Sequence, residues 1–284
     1  MPPFTASLFH YLKLVRAPNL AIILLAQYFT AIFLAGGGDW RPYVFDINLF
    51  LIALSTVLTA AGGYVINDYR DIRIDSVNKP HRVIVGRKVK RRHAIAAHLA
   101  LTIPAVFIAM LVHPAVALIA AGSAFLLWHY SYLKTKPFLG NLVVAALTAM
   151  CLALVAVYYR QNELLIMIYA VFAFGITLIR EALKDLEDMQ GDADFGRRTI
   201  PVMWGARKSK LFLLALTLAL ILSLFLMTIW LDNPAMKTYF GIFMIPMVFF
   251  IYKLIRSDRK ENYAFLSGFC KFLMLGGIIS MAFF

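Results

Sequence analysis

Long runs without a charged residue alternate along this chain with short stretches in which the charges collect. The uncharged runs cover residues 17–38, 47–67, 94–133, 137–159, 164–179, 211–231 and 238–252. An apolar α-helix of about 20 residues crosses the hydrocarbon core of a bilayer, which is roughly 30 Å thick. The pattern therefore predicts a chain of membrane-spanning helices joined by short polar loops.

The number of helices follows from the lengths of these runs. Residues 94–133 form a run of 40, which is long enough for two crossings. His113 and Pro114 lie near its middle and predict a turn there, because proline cannot continue a helix that has already begun. A last apolar segment is interrupted by Lys271. We therefore expect an all-α membrane bundle of nine transmembrane helices, with residues 1–284 as a single domain.

The basic residues fall mainly on one side of this predicted topology. If the N-terminus is cytoplasmic, 24 of the 28 Lys and Arg residues lie in cytoplasmic segments, whereas Arg41, Arg160 and Lys237 lie outside. Lys and Arg collect in the cytoplasmic loops of membrane proteins. We therefore expect an integral protein of the cell (inner) membrane, with its charged loops and its active site on the cytoplasmic side.

Composition agrees with this class and limits the functions that are open to the chain. Hydrophobic residues make up 62% of the sequence and charged residues 15%, unlike the balance of soluble domains. The formal net charge of +13 has no soluble domain to carry it. It therefore indicates contact with anionic headgroups or a diphosphate rather than nucleic acid binding. The six His and two Cys residues show no metal-ligand spacing.

Nine of the fifteen acidic residues lie in two stretches, 68–75 and 181–194, which follow the second and sixth predicted helices. In the first stretch, Asn67, Asp71 and Asp75 are spaced by four residues. With about 100° of rotation per residue, these side chains fall within roughly 80° on one helix face. Three oxygen-bearing groups are therefore expected to point in one direction.

The second stretch repeats this arrangement. Four of its acidic side chains share one helix face, within an arc of roughly 60°. They are Glu181, Asp185, Asp188 and Asp192. Glu187 points elsewhere, and Gly191 is expected to end the helix early, which would displace Asp192.

Carboxylates stacked at this spacing repel each other by roughly 0.2–0.5 kcal/mol per pair, and by more where they are partly buried. A cation should therefore lie between them. Oxygen ligands without His or thiolate suit Mg²⁺, which normally completes its octahedron with water and phosphate oxygens. Each cluster alone could be a solvated helix end beside basic residues, but two matching clusters favour a Mg²⁺ site for a diphosphate.

At these residues the chain resembles the UbiA superfamily of intramembrane prenyltransferases. The first motif is N-D-x-x-D-x-x-x-D-x-x-N-K-P-x-R from Asn67 to Arg82, and the second is D-x-E-D-x-x-G-D from Asp185. The resemblance covers essentially the whole chain and implies nine helices and Mg²⁺-dependent prenyl transfer. Within the superfamily, the motifs look most like the branch that transfers a geranylgeranyl group from its diphosphate to geranylgeranylglycerol phosphate.

The resemblance also implies roles for individual residues. Mg²⁺ would be held by one amide and five carboxylates, namely Asn67, Asp71, Asp75, Asp185, Asp188 and Asp192. Through the metal, Asp71, Asp75 and Asp188 would act in catalysis. Asp68 and Glu187 would support the substrate site beside them.

Basic residues near the two motifs are candidates for binding phosphate groups. Lys134 and Lys136 follow the fourth helix and could hold the departing diphosphate, with Lys134 acting in catalysis, or they could simply anchor the helix. A phosphorylated acceptor would need further cations near the acids. The candidates are Lys79, Arg82, Arg180, Lys184, Arg197 and Arg198. Asn19, near the start of the first helix, could bind substrate or cap the helix.

Three tyrosines lie close to these groups in the predicted topology. Aromatic faces could stabilise an allylic cation by up to about 2 kcal/mol when water is excluded. The candidates are Tyr64, Tyr130 and Tyr132. Each could equally belong to the aromatic belt at the membrane surface.

Other functions would also place acidic clusters in a membrane protein. Prenylation of an aromatic acceptor, as in quinone biosynthesis, would use the same diphosphate site. A cation transporter would hold carboxylates near the midplane, and a CDP-alcohol phosphotransferase would carry a D-G-x-x-A-R pattern that this chain lacks. We expect an isoprenyl diphosphate and a lipid or aromatic acceptor as partners, with membrane lipid around the bundle and no obligate protein partner.

Overall fold

The computed structural model describes residues 4–231 and 233–284, without the side chains at positions 4–7, 82 and 231. The helices are α1 (Phe4–Leu14), α2 (Ala17–Phe29), α3 (Arg41–Val44), α4 (Ile47–Arg70), α5 (Ile72–Asn78), α6 (Arg91–Val112), α7 (Pro114–Leu133), α8 (Leu139–Tyr159), α9 (Glu163–Asp194), α10 (Ile200–Leu231), α11 (Pro234–Ile255) and α12 (Lys260–Ser280). A π-helical turn, Thr30–Ala35, continues α2, and short 3-10 turns follow α5 and α12.

Nine helices of the described chain are long and apolar enough to cross a membrane, as the charge pattern predicts. They are α2 with its π-helical turn, α4, and α6 to α12. Large apolar side chains cover the outside of the bundle, and Leu111 and Leu118 are 77% and 76% exposed. Lipid can cover such side chains at little cost, whereas water cannot. The prediction of an all-α membrane bundle is confirmed.

The chain turns between α6 and α7 at the predicted position. α6 ends at Val112 and Pro114 opens α7. His113 is extended, with φ −165° and ψ 141°, and its Nδ1 accepts a hydrogen bond of 3.1 Å from the Ala115 amide. Proline is suited to the first helical position because its missing amide hydrogen would have no partner there. The histidine side chain caps the new helix.

α9 extends well beyond its uncharged run and carries the whole second acidic motif. It continues to Asp194, so the expectation that Gly191 ends the helix early is wrong. A Cβ atom at position 191 would lie 2.1 Å from Asn78 Oδ1. Glycine is therefore needed there because Asn78 packs directly against the helix. Asp192 consequently remains on the acidic face of α9.

The first acidic motif spans a bend rather than one straight helix. α4 ends at Arg70 and α5 begins at Ile72, with Asp71 between them at φ −89° and ψ 8°. Helical hydrogen bonds nevertheless continue across the bend. Asp71 N donates to Asn67 O at 2.9 Å, and Asp75 N donates to Asp71 O at 2.8 Å. The predicted stacking of Asn67, Asp71 and Asp75 is therefore retained.

Close packing holds the two helices that position the motifs. α4 packs against α6 and α7, and α9 packs against α8, α10 and α12. A Cβ atom on Gly62 of α4 would lie 2.3 Å from Thr102 Oγ1 on α6, so these helices approach closely, as membrane helices do at small residues. Ile166 and Leu183 anchor α9 and are both fully buried. Rigid neighbours on both sides therefore fix the acidic ends of α4 and α9.

Candidate active site

A cavity of about 520 Å³ lies within the bundle, and both acidic motifs line it. All six residues that the sequence assigns to Mg²⁺ are in its wall: Asn67, Asp71, Asp75, Asp185, Asp188 and Asp192. The first three come from the α4–α5 bend, and the other three come from α9. Two motifs that are distant in sequence thus share one site.

Two basic side chains bridge the motifs. Lys79, in the first motif, lies 2.7 Å from Asp188 and 3.3 Å from Glu187 in the second. Arg197, three residues after α9, donates to Asp71 and also lies 3.6 Å from Asp192. Opposed carboxylates would repel each other across the cavity, and these cations offset that repulsion. The sequence named both residues as phosphate contacts but gave no sign that they join the motifs.

The Asp71 carboxylate is held in its charged form by two cations. Its side chain is 3% exposed, and Lys134 Nζ lies 3.4 Å from its Oδ2 while Arg197 bonds its Oδ1. Burial raises the pKa of Asp71, but Lys134 and Arg197 outweigh burial and leave that pKa below its usual range. Burial lowers the pKa of Lys134, but Asp71, Tyr130 and other nearby groups together raise that pKa above its usual range. This pair is therefore ionised at neutral pH.

The negative charge of Asp75 is balanced less completely by nearby cations than that of Asp71. Burial, followed by the nearby Asp71 carboxylate, raises the pKa of Asp75 to about 6. Lys134 and Lys79 oppose this rise only in part. A divalent cation beside the carboxylate would favour its charged form.

Asn141 fixes one of the carboxylates of the second motif. Its Nδ2 donates a hydrogen bond of 2.7 Å to Asp185 Oδ2 in the buried interior. α8 can begin close to the end of α7 because position 140 is glycine, where a Cβ atom would lie 3.0 Å from Lys134 Cα. Sequence reasoning missed Asn141, although an amide near the start of an apolar helix was a usable signal.

The donor atoms in the cavity wall fit a hard cation. Asn67 Oδ1, Asp188 Oδ1 and Asp192 Oδ1 are buried and have no hydrogen-bond partner. Such acceptor oxygens are costly to bury without a proton donor or a metal. In the described part of the chain, no three His, Cys, Asp or Glu side chains form a complete metal-binding group. Mg²⁺ is commonly bound by only one or two carboxylates, together with phosphate oxygens and water.

Beyond the acidic end, the cavity continues between α4, α7 and α8 as a mostly apolar tunnel. Its wall includes Val116, Ala120 and Leu127 of α7 and Leu147 and Leu154 of α8. Ser55 and Asn67 of α4 both line the cavity, and the helix between them spans about 18 Å from the inner end of the tunnel to the acidic end, at 1.5 Å per residue. The tunnel is therefore long enough to hold several isoprene units.

Other predicted substrate residues also lie at the cavity. Asp68 accepts a hydrogen bond of 2.8 Å from Arg16, and Asn19 donates one of 3.3 Å to the Tyr64 hydroxyl. Arg180 and Lys184 both line the cavity on the α9 side. Tyr64 and Tyr130 also line it.

Three residues that the sequence named, Lys136, Tyr132 and Glu187, do not line the cavity, and a fourth, Arg82, is not tested. Lys136 is exposed and lies over the Tyr132 ring, 5.5 Å from its centroid, outside the cavity wall, and Tyr132 is itself 61% exposed. These positions do not support a direct contact with substrate in the cavity. Glu187 is buried outside the cavity wall and contacts Lys79 at 3.3 Å, so a direct contact with substrate is not supported for it either. The Arg82 side chain lies outside the described residues.

A helical membrane bundle with two facing acidic motifs at the head of an apolar tunnel is the architecture of an intramembrane prenyltransferase. The chain belongs to the UbiA prenyltransferase family, which it matches over residues 24–275. The resemblance noted in the sequence is thereby confirmed, and it places the chain among transferases rather than cation transporters.

Relatives of known sequence and solved structures are similar to this chain over nearly its full length. The chain is 34% identical over 283 residues to the digeranylgeranylglyceryl phosphate synthase of Saccharolobus solfataricus, with 96% of each chain covered. A solved structure described as digeranylgeranylglyceryl phosphate synthase in membranes has a TM-score of 0.68 and 25% identity, with 97% of both chains covered. A UbiA homolog from Archaeoglobus fulgidus, bound to GPP and Mg²⁺, has a TM-score of 0.63 at 16% identity, covering 95% of this chain and 99% of that one.

Proposed function

We propose that the chain transfers a geranylgeranyl group from geranylgeranyl diphosphate to the free hydroxyl of geranylgeranylglycerol phosphate, in a Mg²⁺-dependent reaction. The observation that carries this proposal is the pair of acidic motifs, joined by Lys79 and Arg197, at the head of an apolar tunnel. The similarity to digeranylgeranylglyceryl phosphate synthases supports a lipid-phosphate acceptor over an aromatic one.

The acidic end of the cavity is the proposed diphosphate site. Mg²⁺ would be held by the six cavity-lining oxygen donors, three of which have an oxygen without a hydrogen-bond partner. They are Asn67, Asp71, Asp75, Asp185, Asp188 and Asp192. The metal would neutralise the negative charge of the diphosphate and so make the diphosphate a better leaving group. This would lower the activation barrier of the transfer by several kcal/mol.

Three cations of the chain complete this site. Lys79, Lys134 and Arg197 already lie between the carboxylates, so their N–H groups can donate to the oxygens of a diphosphate bound there. Charge-assisted hydrogen bonds of this kind become stronger as negative charge develops on the leaving group. Lys134, held in its charged form beside Asp71, is the proposed catalytic cation.

The apolar tunnel positions the reacting carbon. With the prenyl tail between α4, α7 and α8, the first carbon of the tail lies just below the diphosphate. The bond between this carbon and the diphosphate oxygen breaks, and the diphosphate leaves with the electron pair. The acceptor hydroxyl oxygen forms a new ether bond to the carbon and passes its proton to the released diphosphate. Tyr64 and Tyr130 line the cavity and offer aromatic faces to the positive charge that develops on the carbon.

We also propose that the acidic end faces the cytoplasm of the cell membrane. The loops at that end contain most of the Lys and Arg residues, including nine between Arg70 and Arg92. Positive residues are retained on the cytoplasmic side during insertion. Substrate would then reach the site from the cytoplasmic leaflet.

Purified protein in detergent, supplied with labelled geranylgeranyl diphosphate, tests this function directly. We expect a diether product with geranylgeranylglycerol phosphate in the presence of Mg²⁺ and no product when the metal is chelated. A second reaction with 4-hydroxybenzoate tests the aromatic alternative. If only the aromatic acceptor gave a product, the proposed lipid acceptor would be wrong and an aromatic acceptor would take its place. If neither acceptor gave a product, the proposal as a whole would be contradicted.

A further inference from the structure

The first residue of the last helix reaches the first acidic motif. Lys260 opens α12, and its Nζ donates a hydrogen bond of 2.6 Å to the backbone oxygen of Asn78. The two residues are 182 positions apart in sequence. Lys260 itself lies outside the cavity wall. The contact therefore joins α12 to the motif without placing the lysine in the proposed substrate site.

The oxygen that Lys260 bonds is at the end of a short helix. Asn78 is the last residue of α5, which has only seven residues. The last four carbonyl groups of a helix have no partner within it, and a lysine beside them can bond one and offset the helix dipole. A helix this short is not stable by itself. Lys260 thus stabilises the C-terminal end of α5 from a distant part of the chain.

Asn78 is held from a second side by α9. Its side chain packs against Gly191, and the residue is only 7% exposed. The side chain of Asn78 therefore meets α9 while its backbone oxygen meets α12. We name the three residues Asn78, Gly191 and Lys260 the α5 junction. It fixes the end of α5 between two membrane helices.

Two groups of the proposed diphosphate site depend on this position. Lys79 follows Asn78 directly, and its side chain reaches Asp188 at 2.7 Å. Asp75, a proposed metal ligand, lies three residues before Asn78 on α5, and its backbone oxygen accepts a hydrogen bond of 2.8 Å from the Lys79 amide. A shift of α5 would move both side chains, and a misplacement of about 1 Å can lower an enzymatic rate by about 100-fold.

We infer that Lys260 is a positioning residue for the diphosphate site, which acts through Asn78 and contacts neither the metal nor the substrate. This inference rests on the proposed function only for the use of a diphosphate, and it is independent of which acceptor is prenylated. By holding the end of α5, Lys260 places Lys79 opposite Asp188 and keeps Asp75 on the cavity side.

A second lysine provides a matched control. Lys210 on α10 also donates to a backbone oxygen, that of Ser257 at 2.9 Å, and to Asp258 at 2.8 Å. It therefore holds the loop before α12, only a few residues from Lys260, but its contacts do not include α5. Lys210→Met removes a lysine contact from the same end of the bundle and leaves the α5 junction intact.

Steady-state kinetics of Lys260→Met test the inference, because methionine lacks the donor. We expect KM for the prenyl diphosphate to rise by about 10-fold, the effect of one charge-assisted hydrogen bond, while KM for the acceptor stays unchanged. Lys260→Arg keeps a charged donor and should recover most of this loss. Lys210→Met should keep the wild-type KM for the diphosphate, even if it unfolds at a lower temperature.

A double variant shows whether Lys260 acts through Lys79. Coupled residues have effects that do not add, whereas independent ones do. In the Lys79→Gln background the contact with Asp188 is already lost. Lys260→Met should therefore raise KM for the diphosphate by clearly less there than in the wild-type background. A full 10-fold increase in both backgrounds would show that Lys260 does not act through Lys79.

Two measurements need neither turnover nor an acceptor. Hydrogen exchange of the ligand-free protein should become faster in α5 of Lys260→Met and stay unchanged there in Lys210→Met. Calorimetric titration with inorganic diphosphate and Mg²⁺ should show weaker binding by Lys260→Met, by about the factor seen in KM. Both readouts report on the α5 junction directly.

Three results would overturn the inference. They are unchanged diphosphate binding by Lys260→Met, an equal loss in Lys210→Met, and faster exchange confined to α12. The first and second would leave Lys260 no special role at the site, and the third would make it an anchor of α12 alone. Failure of the proposed function is distinct, because the wild-type protein would then transfer no prenyl group to either acceptor.

Discussion

Lys79 Nζ lies 2.7 Å from Asp188 Oδ2, although the two residues are 109 positions apart in sequence. Lys79 belongs to the first acidic motif and Asp188 to the second. The contact therefore shows that the two motifs are parts of one site, and it places a cation where a diphosphate would meet the second motif. Both side chains line the same cavity.

Replacing Lys79 should impair use of the prenyl diphosphate. Lys79→Gln removes the charge that contacts Asp188 and Glu187, and it removes one donor to the diphosphate. We expect kcat/KM for the diphosphate to fall by about 10- to 100-fold, the effect of one charged hydrogen bond. Lys88, in the following loop, is exposed, and Lys88→Gln should retain wild-type kinetics. If Lys79→Gln and Lys88→Gln both had wild-type kinetics, a role for Lys79 in binding the diphosphate would be excluded.

Substituting Gly191 should disturb the packing between the motifs. In Gly191→Ala the new Cβ atom would clash with the end of the Asn78 side chain, so either this side chain must leave its position or α5 and α9 must separate. Overpacking of this kind typically costs about 1–3 kcal/mol, so thermal unfolding in detergent should begin at a lower temperature and turnover should fall.

Two further variants test the cause of this effect. Asn78→Ala removes the atoms that clash, so it should partly restore the stability of Gly191→Ala. Gly268 on α12 has open space around its would-be Cβ atom, and Gly268→Ala should be neutral or slightly stabilising. Equal destabilisation by both alanine substitutions would indicate a general sensitivity of the helices rather than contact with Asn78.

The proposed orientation can be measured with a membrane-impermeant maleimide. Lys88 and Arg41 are exposed and lie on opposite sides of the predicted topology. Lys88→Cys should react in inside-out vesicles and not in intact cells, and Arg41→Cys should show the reverse. The wild-type chain, with Cys151 partly buried and Cys270 buried, serves as the background control. Reaction of Lys88→Cys in intact cells would place the acidic end outside.

Much of the fold could be predicted because its signals are local. Uncharged runs predict nine spanning helices, and His113 and Pro114 predict the turn between α6 and α7. The spacing of the acids predicts which of them share a face, and all six proposed metal ligands line the cavity. Glu187, which the same spacing turns away, contacts Lys79 instead.

What could not be predicted depends on contacts between distant parts of the chain. The sequence does not show that Gly191 is a packing position for Asn78, so a glycine in a polar stretch wrongly suggested a helix end. Nor does it show that Asn141 bonds Asp185 from another helix. Lys134 and Lys136 have the same local context, yet Lys134 reaches Asp71 and Lys136 lies on the surface.

The central claim is that the two acidic motifs form one site. Its most direct test is to measure Mg²⁺-dependent release of diphosphate, with the acceptor present, by Asp71→Asn, Asp188→Asn and the double variant. Each substitution keeps the side-chain shape. We expect each to lower turnover by about 10³-fold, which is several kcal/mol of lost charge stabilisation. The double variant should be no worse than either single one, because the residues act as a unit.

Asp194→Asn is the matched control for this measurement, since Asp194 is exposed at the end of α9 and does not line the cavity. It should release diphosphate at the wild-type rate and unfold at the wild-type temperature. The Asp71→Asn and Asp188→Asn variants should remain folded in detergent, although the loss of a buried ion-pair partner lowers their unfolding temperatures. Near wild-type turnover in both Asp71→Asn and Asp188→Asn, with the fold intact, would contradict the account that these motifs form one Mg²⁺-dependent diphosphate site.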